Sequence, residues 1–145
     1  MLRGNHPATV DAKGRLKIPA AFLAELREFG EKFYVTSEKG DCAKVYPLRV
    51  WDEIEARLKS VSRHSQAKKK YLDITNYYGQ LVELDSQGRL LIPAVLRDAA
   101  QTMGEVNVLG NQDHLTVWNR TRFLDQLKNN PLTPEDEKAL DDLGI

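Results

Sequence analysis

The chain has a single cysteine among its 145 residues, Cys42. That excludes an intramolecular disulfide and leaves no thiolate cluster for zinc. The expected role of Cys42 is that of a small buried hydrophobe. Three histidines, His6, His64 and His114, stand far apart, with no His-x-x-x-His spacing, no nucleophile-elbow phrase and no glycine-rich loop following a strand. No catalytic residue, metal ligand, cofactor or small-molecule substrate is therefore expected, and Asp11 and Asp85, the one imaginable carboxylate pair, already have a turn explanation. Nor does any run approach the ~20 apolar residues of a membrane span. Met1 to His6 has no apolar stretch behind its positive charge, so neither membrane nor secretion is indicated and the cytosol is expected.

An excess of either charge is also missing: 21 Lys and Arg balance 21 Asp and Glu. A protein that coats nucleic acid through overall electrostatics is thereby disfavoured. Distribution says more than the sum. Arg57, Lys59, Arg63, Lys68, Lys69 and Lys70 follow one another without an intervening acid, whereas Glu135, Asp136, Glu137, Asp141 and Asp142 make the C-terminal segment acidic.

What the chain does contain is a phrase written twice. Val10-Asp11-Ala12-Lys13-Gly14-Arg15-Leu16-Lys17-Ile18-Pro19-Ala20 returns as Leu84-Asp85-Ser86-Gln87-Gly88-Arg89-Leu90-Leu91-Ile92-Pro93-Ala94, offset by 74 positions. Asp, Gly, Arg, Leu, Ile, Pro and Ala recur identically, so the chain reads as two copies of one supersecondary unit. Neither half is large enough to fold readily alone, which implies a shared core.

Asp at the first position and Gly at the fourth are preferences of a type I turn, with the glycine free to take positive φ. Asp11 to Gly14 and Asp85 to Gly88 thus predict hairpin tips, fed by strands near Ala8 to Val10 and Leu81 to Leu84 and left by strands Arg15 to Ile18 and Arg89 to Ile92. Alternation puts Leu16 and Ile18 inward and Arg15 and Lys17 outward. Pro19 and Pro93 open short helices, with Gly30 and Gly104 as their stop signals. Second hairpins follow, Phe33 to Val35 with Ala43 to Tyr46, and Val106 to Val108 with Leu115 to Trp118. Amphipathic helices come next, marked by Val50, Trp51, Ile54 and Leu58 in one unit and by Phe123, Leu124 and Leu127 in the other.

The expected organisation is a first repeat over 1–59, a basic helical connector over 60–78 extending the preceding helix, a second repeat over 79–130, and an acidic helix over 131–145. No counterpart of the connector follows the second copy. Thr133-Pro134-Glu135-Asp136 predicts instead a capped helix start leading to Leu140 and Leu143.

The doubled Asp-x-x-Gly-Arg-hydrophobic-x-Ile-Pro phrase, following Leu2-Arg3-Gly4 and joined by Val45-Tyr46-Pro47-Leu48 to Trp51 and by Val117-Trp118, resembles the MraZ family of bacterial transcriptional regulators. It is similar also to the AbrB and SpoVT DNA-binding modules, which carry one such unit per chain and pair two chains. The resemblance implies an α+β, mainly β fold in which two tandem repeats form a swapped-hairpin β-barrel with flanking helices. It further implies a cytoplasmic, nucleoid-associated regulator that forms a ring-shaped homo-oligomer and binds tandem repeats in double-stranded DNA upstream of the division and cell-wall gene cluster. The family's motif residues map onto Asp11 and Arg15, and onto Asp85 and Arg89.

Lys13 at the first tip, with Arg15 and Lys17 on the outward strand face and Arg3 near in sequence, forms a compact cationic projection suited to a DNA groove. Arginine can grip a phosphate or make a bidentate contact to guanine, whereas Lys13 and Lys17 are suited to phosphates. Arg89 is the corresponding candidate in the second copy, where Gln87 and Leu91 replace the two lysines. Two alternatives stand beside this reading. Asp11 and Arg15 can pair across the turn and simply pin the hairpin, and the duplicated barrel can serve as a structural or protein-interaction scaffold without specific DNA binding.

Overall fold

The computed structural model describes all residues, 1–145. In chain order the first unit comprises β1 (Asn5–Val10), β2 (Arg15–Lys17), α1 (Ala20–Glu28), β3 (Lys32–Thr36), β4 (Ala43–Pro47), α2 (Leu48–Lys59) and α3 (Gln66–Tyr77). The second comprises β5 (Gln80–Glu83), β6 (Arg89–Leu91), α4 (Ala94–Ala100), β7 (Gly104–Gly110), β8 (Leu115–Asn119), α5 (Arg120–Asn129) and α6 (Pro134–Asp142). Helix outnumbers strand by residue, but the buried core is carried by the sheet.

One eight-stranded sheet runs β5-β3-β4-β8-β7-β1-β2-β6, and its end strands meet through the β5–β6 turn, nearly closing a barrel. The units are interleaved. β1 of the first pairs along its whole length with β7 of the second, and β5 of the second pairs with β3 of the first. At the centre β2 pairs with β6, Arg15 opposite Leu91, Leu16 opposite Leu90, and Lys17 opposite Arg89. Shifting by the repeat offset maps this ladder onto itself, so a pseudo-twofold axis passes between Leu16 and Leu90. Both leucines are essentially fully buried, at 0% and 1% exposure.

Alternation explains the core. Leu16, Ile18, Leu90 and Ile92 enter it from the central ladder, Val10, Val82 and Leu84 from the incoming strands, and Phe22, Leu26 and Leu96 from α1 and α4. A second, smaller cluster docks the first unit's outer helices. Trp51 stacks on Tyr34 at 4.7 Å, packs 5.2 Å from Tyr46, and faces Tyr71 of α3 at 6.4 Å. Thr36 Oγ1 and Tyr34 OH both donate to the Thr75 carbonyl, at 2.7 and 3.1 Å, and so tie α3 to β3.

Several expectations need correction. The connector does not extend α2: Ser60 caps that helix, its hydroxyl donates to the Arg57 carbonyl at 2.6 Å, and α3 starts anew with Ser65 as N-cap. A counterpart of α3 does follow the second copy, because α6 occupies the same place in chain order. It carries acids where α3 carries lysines, and no residue of it is buried. Gly104 is not a helix stop. α4 has 7 residues against 9 in α1, Gln101 takes the left-handed conformation (φ 54°) at its end, and Gly104 opens β7. Leu124 and Leu127 of α5 do not dock either, each remaining 57% exposed; α5 is held instead by Phe123 against Trp118 and by Arg122 Nη1, which donates to the Ala99 carbonyl at 2.8 Å. Cys42 is buried as expected, and desolvation pushes its thiol up to about 12, which makes it inert.

Because Leu16 and Leu90 are equivalent and fully packed, Leu16→Ala and Leu90→Ala should each cost about 2–5 kcal/mol, and by similar amounts. Urea denaturation measures this; a cost under about 1 kcal/mol for either would show that the axis contact is not central.

Candidate nucleic-acid interface

Each hairpin tip is held by its own aspartate. The Asp11 carboxylate accepts from the backbone N–H groups of Lys13 and Arg15, both at 2.9 Å, and from Arg15 Nε at 3.3 Å. Asp85 repeats the arrangement with Gln87 N–H and Arg89 N–H at 2.8 Å and Arg89 Nε at 3.2 Å. The glycines complete the turns at φ 85° and 74°, conformations that a side chain would strain. Their carbonyls then act across the axis: Gly14 accepts from Ile92 N–H and Gly88 from Ile18 N–H, each at 2.9 Å. Each turn is therefore closed by its own Asp and joined to the other copy through main-chain bonds.

The outward face of the central ladder follows from its register. Arg15, Lys17, Arg89 and Leu91 lie opposite the buried Leu16 and Leu90, with Lys13 exposed at the tip beside them. Two inequalities appear there. Arg89 Nη1 also lies 3.9 Å from Asp11, so Arg89 faces two carboxylates, whereas Arg15 pairs only with its own. Arg15 correspondingly keeps 34% of its side chain exposed against 27% for Arg89. The pinning ion pair is thus real in both copies, and it holds the guanidinium at the rim of an outward face. Arg3 does not join the group. Leu2 is bridged to Gln112 in the β7–β8 turn, leaving Arg3 at the far end of β1, about 25 Å along the strand from Asp11 at ~3.3 Å per residue. The connector lysines are also remote, since α3 is tied to Tyr34 and Thr36, beside the end of β5 away from its turn.

Comparison with known proteins agrees with this architecture. A family model described as "MraZ protein, putative antitoxin-like" matches residues 1–74 and 79–143, one match per unit. The chain belongs to the MraZ family. Relatives named "Transcriptional regulator MraZ" include those of Acidobacterium capsulatum, 48% identical over 146 residues, and of Koribacter versatilis, 46% identical over 147. That of Thermoanaerobacter sp. is 36% identical over 146 residues, and all three alignments cover 100% of both chains. The double match places the MraZ unit on each interleaved half, so the family's tip is formed twice in this barrel.

Sequence reading found Lys13, Arg15, Lys17 and Arg89 at this face but missed Arg97. Its guanidinium, carried by α4 of the second unit, lies over Gly14 of the first, where a β-carbon at that glycine would stand. The signal was present in the repeat itself: Arg97 follows the second phrase at the position where Leu23 follows the first.

The backbone N–H of Arg15, followed by that of Lys13 and by the Arg15 guanidinium, holds the Asp11 carboxyl below its ordinary 3.8. Arg89 and Gln87 do the same for Asp85. The folded state thus resists protonation more than the unfolded chain does. The stabilisation is present above pH 3.8 and is lost as pH falls through the lowered folded value. Below about pH 4, the thermal midpoint of the parent should drop more steeply than that of the combined Asp11→Asn, Asp85→Asn variant. Parallel curves would exclude these carboxylates as anchors of the tips.

Proposed function

We propose that the chain is a sequence-specific DNA-binding transcriptional regulator whose first hairpin tip enters the groove. The observation that carries this reading is the outward cationic face on the β2–β6 ladder, in which Arg15 is held in one orientation by Asp11 with its remaining donors facing solvent. A guanidinium so oriented suits bidentate recognition of guanine, worth about 1–3 kcal/mol against a wrong base. Lys13 and Lys17 flank it as phosphate contacts that set register without reading sequence. Arg89, facing two carboxylates and flanked by Gln87 and Leu91, supports the tip more than it reads. The names of the relatives support the same reading, and so does the neutral net charge, which keeps nonspecific attraction low. No helix is long and apolar enough to cross a membrane, which is compatible with action at the nucleoid in the cytoplasm.

A few cationic contacts per chain give weak, salt-sensitive binding. Several linked tips on tandem DNA repeats would raise avidity by ~10²–10⁴ without new contacts. Self-association into a ring supplies them, and we place its surface on α5 and α6. Leu124, Leu127, Leu132, Leu143 and Ile145 are all more than half exposed there, α6 is acidic, and the last turn of α2 and the start of α3 offer basic residues to a second copy. The target would be tandem promoter repeats, those of the division and cell-wall cluster among them.

Selection from a random duplex library followed by fluorescence anisotropy tests the reading. Arg15→Ala should reduce affinity for the enriched duplex to that for a scrambled one, with folding and oligomer size unchanged, and Arg89→Ala should have a smaller effect. A library that enriches no motif would favour a scaffold. For the assembly, the combined Leu124→Glu, Leu127→Glu variant should give a smaller species than the parent in light scattering. Equal size would move the interface off α5.

A further inference from the structure

The two tips are built on the same backbone but are covered differently. At the second tip, Leu23 of α1 packs over Gly88, its nearest methyl carbon 3.1 Å from where a β-carbon would stand. At the first tip the equivalent residue is Arg97 of α4, and its guanidinium rests against Gly14. Interleaving makes this an exchange: the first unit's tip receives its cover from the second unit, and the reverse.

Burial of an apolar cover accounts for Leu23, which packs against the core. It does not account for Arg97. The guanidinium has five donors but makes no ion pair and donates no hydrogen bond within the chain. The side chain is half-buried, and Arg97 lines with Ala12, Ala94, Asp98 and Met103 one shallow depression between the tip and α4. Lys13, Arg15 and Arg97 are thus gathered around one glycine. At two positions where the tips differ, Lys13 against Gln87 and Arg97 against Leu23, the cation stands at the first tip, whereas Lys17, against Leu91, lies across the ladder from Arg89.

We propose that Arg97 is a further DNA-contacting residue, one that grips a backbone phosphate beside the first tip. This rests on the reading of that tip as the groove-entering element. Three features fit a phosphate more than a base edge. The side chain comes from a helix behind the turn, it lies at the base of the tip over Gly14, and it has no carboxylate holding it in a fixed reading posture. Gly14 is required for two reasons: the turn needs positive φ, and a side chain there would expel the guanidinium. Arg97 would thereby fix how deeply the tip is seated, while Arg15 reads.

The molecule supplies its own fold-compatible substitution. Arg97→Leu installs over Gly14 the cover that Gly88 already has, and Arg97→Lys keeps the charge. Binding to a mixed-sequence duplex and to the library-enriched duplex is measured across a salt series by anisotropy, with the thermal midpoint as a folding control. Arg97→Leu should lower affinity about tenfold on both duplexes, as expected for loss of a charge-assisted contact. It should also make the slope of log K against log salt shallower by about 0.9, the share of one phosphate. Arg97→Lys should retain the parental slope. A slope for Arg97→Leu equal to the parent's overturns the assignment whatever its affinity, because a merely structural cover would not change counterion release. The underlying reading fails separately, if Arg15→Ala keeps its preference for the enriched duplex.

Discussion

The structure depends on one short antiparallel contact, three residues of β2 against three of β6, extended at each end by a glycine carbonyl that accepts from the other copy's isoleucine. Without it the two incoming hairpins have no common edge, and the apolar faces that carry Leu16 and Leu90 lie open to water. Main-chain bonds alone do not decide the matter, since their net contribution is about 1 kcal/mol each. Their importance is geometric. They fix the register that places both leucines on the axis and both arginines outside, and a slip of one residue would invert every side chain on the ladder.

That constraint divides the repeated phrase into residues with fixed and free roles. Asp closes the turn through backbone N–H groups, Gly takes the left-handed conformation and accepts through its carbonyl from the other copy's isoleucine N–H, Leu and Ile enter the core, and Pro begins the helix without a wasted donor. Every one of these must be satisfied twice for the barrel to nearly close. The positions between them are less constrained: Lys13 and Gln87 are exposed, and where Lys17 is exposed Leu91 is half-buried against the core edge. Symmetry of the backbone therefore coexists with asymmetry of charge.

The repeat, the tips, the alternation and the hairpin-helix order of each unit were legible because they are local: turn chemistry and period-two patterning act over a few residues. What was not legible crosses between the units. Arg89 reaching towards Asp11, Arg97 lying over Gly14, and Arg3 being carried away to the Gln112 turn all follow from β1 pairing with β7 and from β2 pairing with β6, which no pattern within one unit encodes. Gly104 was misread for a different reason. A helix shortened by two residues moved its end onto Gln101, a residue that tolerates positive φ poorly, and glycine was left to begin the strand. Arg97 is instructive because its equivalence to Leu23 was visible in the sequence, while the meaning of that equivalence needed the exchange of covers between units.

Interleaving also bears on how such a chain would engage a duplex in the proposed reading. If both tips read, one chain would present two readers related by the pseudo-twofold axis, side by side across a three-residue ladder, too close to address successive DNA repeats. If the first tip alone reads, one reader is left per chain, so the spacing between readers is set by the distance between subunits instead of by the barrel. The second tip then has a separate physical task. It supplies β6 to complete the ladder, the Ile92 N–H that fixes the Gly14 carbonyl, and, through the helix behind it, the arginine that covers Gly14. Duplication in a single chain, unlike pairing of two identical chains, permits this division, because only covalently joined copies can diverge at positions 13, 17 and 23 independently of 87, 91 and 97.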